Sequence, residues 1–167
     1  DILGRPGKML RPGMVLLSAR FRRGGEAVVL PDKIYRIAAA VELLHTATLV
    51  HDDVLDESSS RRGGKTLNAA YGSRTAVLLG DFLFSTCFRL VADQASTENA
   101  RILAAGIGHI CSGEILQAED TDLSAPSIRR YKRRIAGKTA LLFALSLHVG
   151  ARESGLPANR SYRLARI

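Results

Sequence analysis

Three carboxylates crowd into five residues, Asp52-Asp53-Val54-Leu55-Asp56, and a pair of arginines, Arg61-Arg62, follows closely. On a helix, positions four apart lie one turn above each other, so Asp52 and Asp56 project from one face. Two carboxylates in that register suit a hard cation. Mg²⁺ takes oxygen ligands in near-octahedral array and is commonly shared between one or two carboxylates and the phosphates of a substrate. Cationic clusters stand on either side in the sequence. In Gly7-Lys8-Met9-Leu10-Arg11-Pro12 a glycine permits close backbone approach and two cations three apart flank a turn; Arg61-Arg62-Gly63-Gly64-Lys65 lies just beyond the acids. Lys138 falls in an apolar stripe with Tyr131, Ile135 and Leu142, a setting in which lysine calls for an anion. Carboxylate, metal, diphosphate and arginine alternate in charge, which suits departure of a diphosphate group. The plain alternative is a salt-bridged helix end whose acids and bases only neutralise each other.

The elements that must hold these groups read as helix after helix. A short one is expected from Met14 to Arg22, ended by Gly24-Gly25. From residue 34 to 57 the series Ile37, Val41, His45, Thr48, Asp52, Asp56 recurs every three or four residues, apolar first and polar last. Residues 57 to 64 form a Ser-, Arg- and Gly-rich loop. Helical spacing returns over 66 to 92, with Gly72 and Gly80 as weak points, and over 98 to 118. Ser124 and Pro126 suit the start of the helix that carries Lys138, and a final piece runs from Ala158 to Ile167. No segment alternates as a strand, so the fold class is all-α, with residues 1–167 in a single domain.

Composition narrows the partners. The 167 residues carry a formal charge of +8, which fits an anionic partner of some kind. The basic run Arg129-Arg130 with Lys132-Arg133-Arg134 has no interleaved aromatics and reads as a solvated face, so nucleic acid is not expected. Cys87 and Cys111 have neither the number nor the spacing of a disulfide framework or zinc site, which favours the cytoplasm. No uninterrupted apolar run is read as spanning a membrane.

The ordered motifs resemble the trans-isoprenyl diphosphate synthases, the polyprenyl synthetase family, over essentially the whole chain. His51-Asp52-Asp53-Val54-Leu55-Asp56-Glu57 with Arg61-Arg62-Gly63 is similar to their first aspartate-rich motif. Gly7-Lys8-Met9-Leu10-Arg11-Pro12 is similar to an early G-K-x-x-R-P, and Gly137-Lys138-Thr139-Ala140 to G-K-T-A. Leu79-Gly80-Asp81-Phe82-Leu83 and Gly113-Glu114-Ile115-Leu116-Gln117 follow the family order. The resemblance implies a helical bundle around a central cavity, a homodimer, and Mg²⁺ held by Asp52 and Asp56 against an allylic prenyl diphosphate, with Asp53 a supporting carboxylate. It implies that Lys8, Arg11, His45 and Arg62 hold isopentenyl diphosphate, and that Arg61, Lys138 and Thr139 bind the allylic diphosphate. Asp52, Asp56 and Lys138 are the expected catalytic groups.

In this family the residues just upstream of the first aspartates face the growing chain. Ala47 and Thr48 are small, so a medium-to-long polyprenyl product is expected. The resemblance also implies a second aspartate-rich motif, and Ser161 to Ile167 ends before its place. The 167 residues are therefore expected to be incomplete at the C-terminus and inactive alone. Two other readings stand beside this one. One is a non-catalytic or regulatory subunit of a prenyl synthase. The other is a metal-dependent phosphohydrolase using His45, His51 and Asp52.

Overall fold

A computed structural model describes residues 7–21, 29–119, 128, 132 and 136–166, with backbone alone for 116–119, 136 and 138. Its elements are α1 (Leu10–Ala19), α2 (Asp32–Leu55), a hairpin of β1 (Ser60–Arg61) and β2 (Gly64–Lys65), α3 (Leu67–Tyr71), α4 (Ser73–Gln94) and α5 (Thr97–Glu119). A π-helical turn (Ala136–Ala140), α6 (Leu141–Glu153) and α7 (Ala158–Ala165) complete the order. The all-α expectation holds.

Helix α2 is the axis of the molecule. Pro31 precedes it in extended conformation and Asp32 supplies an acid to its first turn, where the helix dipole favours one. Its residues Ile34, Ile37, Val41 and Leu44 meet Val15 of α1, Cys87 and Val91 of α4, Leu103 of α5, and Leu142, Leu145 and Val149 of α6 in one core. Burying each such side chain stabilises the fold by roughly 1.5–3 kcal/mol. Helices α1, α4 and α6 all pack against α2, which fixes the direction in which its polar end points.

That polar end stops two residues earlier than the spacing predicts. Glu57 takes φ 49, its N–H donates to Val54 O at 3.3 Å, and Ser58 N–H donates to Asp53 O at 3.0 Å. These paired bonds are a Schellman close with Glu57 where glycine is usual. Asp56 thus becomes the capping residue, outside the helix.

Three other expectations need correction. The first helix starts at Leu10 rather than Met14, because Pro12 falls in the first turn, where its missing N–H costs nothing. The expected loop 57–64 contains the start of a hairpin: Arg61 pairs with Gly64 across Arg62-Gly63, whose φ values of 51 and 75 make a primed turn. Of the two weak glycines only Gly72, at φ 85, breaks the helix, whereas Gly80 stays helical and lets the His51 ring lie against α4. The starting residues Ser124 and Pro126, with Tyr131 and Ile135, lie outside the described residues.

Helix α4 also corrects the membrane reading. By length and composition it could cross a membrane, with a mean hydropathy of 1.5. Here it runs along α2 and buries Ala76, Gly80, Cys87 and Val91.

Candidate functional site

One stripe of α2 builds the floor of a groove. Glu42, His45, Thr46, Leu49, Val50 and Asp53 recur at three- and four-residue intervals and face the segment before α1 on one side and the hairpin on the other. The groove has two compartments that share Gly7, Met9, Glu42, His45 and Arg62. One adds Lys8, Leu10 and Arg11. The other adds Arg61, Lys65, Thr66 and Leu67. The first compartment therefore gathers all four residues expected to hold isopentenyl diphosphate, Lys8, Arg11, His45 and Arg62, although 54 positions separate the ends of that set.

Local backbone geometry explains how they converge. Met9, Glu57 and Arg62 are the non-glycine residues with positive φ among the described residues, and each lies on a segment bearing site groups. Left-handed backbone disfavours a Cβ, and such strain persists where the surroundings demand it. At Arg62 it turns the guanidinium over Gly7: a Cβ on Gly7 would stand 2.8 Å from Arg62 Nη1. Arg61, the preceding residue, goes the other way. Its Nε donates to Asp53 Oδ1 at 2.7 Å, and Asp53 is 6% exposed. Asn68 Nδ2 donates to the carbonyls of Asp53 and Ser58, and Thr66 Oγ1 donates to Ser58 O at 2.6 Å, tying the hairpin to the end of α2.

The cations shape the electrostatics. Arg11 lies over the Phe143 ring, 4.5 Å from its centroid. Burial lowers its pKa, Glu42 opposes that shift and Arg62 adds to it. The pKa of His45 is lowered to about 4, chiefly by burial and then by Arg11, Arg62 and Arg61. The imidazole is therefore neutral at pH 7, able to donate one hydrogen bond without carrying charge.

Other expected residues fall elsewhere. Asp52 is half-buried and Asp56 exposed at the end of α2, off the stripe that lines the groove. Among the described residues no three His, Cys, Asp or Glu side chains converge on a metal site, so a cation at Asp52 and Asp56 would draw further oxygens from phosphate or water. Thr139 is exposed on the π-helical turn, and the side chain of Lys138 lies outside the described residues. Ala47 is fully buried, and Thr48 donates its hydroxyl to His45 O at 2.8 Å. Neither lines the groove. His51 turns away toward α4, with Nε2 3.2 Å from Val77 O and 3.4 Å from Asp81 Oδ1, so the hydrolase trio does not assemble. Glu42 belongs to none of the sequence motifs, although its place three residues before His45 puts it on the same face.

The sequence matches the polyprenyl synthetase family over residues 1–167. The chain belongs to the polyprenyl synthetase family. It is 40% identical over 156 residues to heptaprenyl diphosphate synthase component 2 of Geobacillus stearothermophilus, covering 93% of this chain and 47% of the relative. It is 38% identical over 143 residues to octaprenyl diphosphate synthase of Escherichia coli strain K12, covering 85% and 42%. A solved polyprenyl synthase from Caulobacter crescentus CB15, complexed with calcium and isoprenyl diphosphate, superposes with a TM-score of 0.86 at 38% identity over 96% of this chain and 47% of that one. The chain spans about half the length of the curated relatives it matches. Membership of this family sets the hydrolase reading aside.

Proposed function

We propose that the protein is a trans-polyprenyl diphosphate synthase, extending an allylic prenyl diphosphate with isopentenyl diphosphate to a medium or long chain. The observation that carries this is the gathering of Lys8, Arg11, His45 and Arg62 in one compartment on α2, about two turns before its aspartate-rich end. Cations and a neutral imidazole donor suit a diphosphate. In this reading they hold isopentenyl diphosphate, while Arg61, with Lys138 and Thr139 of the π-helical turn, binds the allylic diphosphate. π-helical turns recur at functional sites. Asp52 and Asp56 would hold Mg²⁺, which would supply charge neutralisation on the leaving diphosphate. The allylic C–O bond breaks, the isopentenyl double bond attacks the resulting cation, and loss of a proton restores an alkene. The fixed cations stabilise the charge gathering on the departing oxygens.

The named heptaprenyl, octaprenyl and isoprenyl diphosphate relatives support this chemistry, and two free cysteines are in keeping with a cytoplasmic setting. A second reading, a subunit that works beside a different partner, draws on the designation of one relative as component 2. Product analysis decides the first. Given farnesyl diphosphate, isopentenyl diphosphate and Mg²⁺, the complete protein should make long products. Accumulation of only short products by the unsubstituted protein would overturn the chain-length reading, and no product would favour the partner-dependent one.

A further inference from the structure

Two acids line the groove: Asp53 is taken up by Arg61, whereas Glu42 has no part in the reaction described above. Glu42 lines both compartments. Its Oε1 is 3.3 Å from the place a Cβ on Gly7 would take, and Arg62 Nη1 and Nη2 are 2.8 and 3.3 Å from that same point, so carboxylate and guanidinium close on one stretch of backbone. Arg11 feels the same carboxylate, which works against the effects of burial and of Arg62. A groove built to attract a polyanion gains nothing in affinity from a negative charge on its floor. Its cations, however, repel one another whenever no anion lies between them. A carboxylate there relieves that repulsion and must later share its partners with the ligand.

We infer that Glu42 is a resident counter-ion, which offsets the charge of nearby Arg11 and Arg62 in the ligand-free protein and limits how tightly diphosphate is retained. The inference rests on the reading of the groove as a diphosphate site. It assigns Glu42 to affinity and release rather than to bond making. One charge near a bound di- or trianion in a half-solvated groove changes affinity by roughly tenfold.

Calorimetric titration with inorganic diphosphate, without divalent metal, tests the inference. Glu42→Gln should bind about tenfold more tightly than the unsubstituted protein and should have a lower melting temperature without ligand. Glu42→Asp, which keeps the charge, should stay within about twofold of the unsubstituted affinity. If Glu42→Gln folds poorly without ligand, added diphosphate should restore it at lower concentration than the unsubstituted protein needs for half-saturation. Equal or weaker binding by a folded Glu42→Gln, with the unsubstituted protein binding normally, overturns the counter-ion role and leaves the diphosphate reading standing. Failure of the unsubstituted protein to bind diphosphate at all removes that reading and this one together.

Discussion

His45 shows how residue type and surroundings combine. An imidazole on a largely apolar stripe could be an ordinary core histidine, and its spacing from Asp52 decides nothing by itself. The surroundings hold its pKa down to about 4 through burial and three arginines. A histidine lowered in the fold binds fewer protons than the unfolded chain below its ordinary pKa. Its contribution to stability is therefore lost as pH falls from about 6.5 toward 4. A diphosphate seated among Arg11, Arg61 and Arg62 would offset their charge and raise the His45 pKa. NMR titration of the ring protons should show a midpoint near 4 that moves upward when inorganic diphosphate saturates the protein. A midpoint unmoved at saturation would show that the anion binds away from His45. At this scale the ordered motifs made Lys8, Arg11, His45 and Arg62 legible. Glu42 was not, because no motif drew attention to it.

At the scale of elements, helical spacing located the helices but not the contacts that set their ends and crossings. Glu153 illustrates the gap. It accepts hydrogen bonds from Ser96 N–H at 2.7 Å and Asn99 Nδ2 at 2.6 Å, and it pairs with Lys33 at 3.1 Å. Burial raises its pKa, yet the bonds from Asn99, Ser96 and Lys33 outweigh it and the net shift is downward. This one carboxylate joins α2, the start of α5 and the end of α6, and since its partners lie 54 to 120 positions away, no local pattern reveals it. Glycines divide in the same way. A Cβ on Gly150 of α6 would collide with the Val15 carbonyl and the Ser18 hydroxyl of α1, whereas one on Gly108 of α5 would meet nothing. Alanine normally stabilises a helix over glycine by up to about 1 kcal/mol. Gly108→Ala should show that gain. Gly150→Ala should instead lose about 1–3 kcal/mol, because overpacking against rigid backbone outweighs propensity. Chemical denaturation of both variants checks the pair; a neutral Gly150→Ala would show that α1 can shift without cost.

For the whole molecule, the face of α4 turned away from α2 asks for an explanation. Leu78, Phe82 and Phe88 are 61%, 65% and 47% exposed, and Val77 and Leu79 of the same helix are exposed as well. Large apolar side chains exposed together along one helix often mark an interface. A lipid bilayer is a poor candidate to cover it. Asp81 lies near the middle of α4 with 61% of its side chain exposed, and a carboxylate at that depth is costly. An exposed helical face can meet its copy in a two-fold contact, in which each copy covers the other. The prediction is a homodimer built through α4, with Phe82 near its centre. Light scattering of the complete protein should give twice the monomer mass, and Phe82→Lys should shift it toward monomer while leaving the groove around His45 intact. A monomeric complete protein would overturn the homodimer, and a stable mass that includes a different polypeptide would favour the partner-dependent reading instead. A dimer unaffected by Phe82→Lys would move the contact away from α4. The groove and this face lie on different sides of α2: the stripe from Glu42 to Asp53 meets the hairpin and the segment before α1, while α4 covers the side reached by His51. Disrupting the contact should therefore leave metal-free diphosphate affinity within about twofold, which separates assembly from binding.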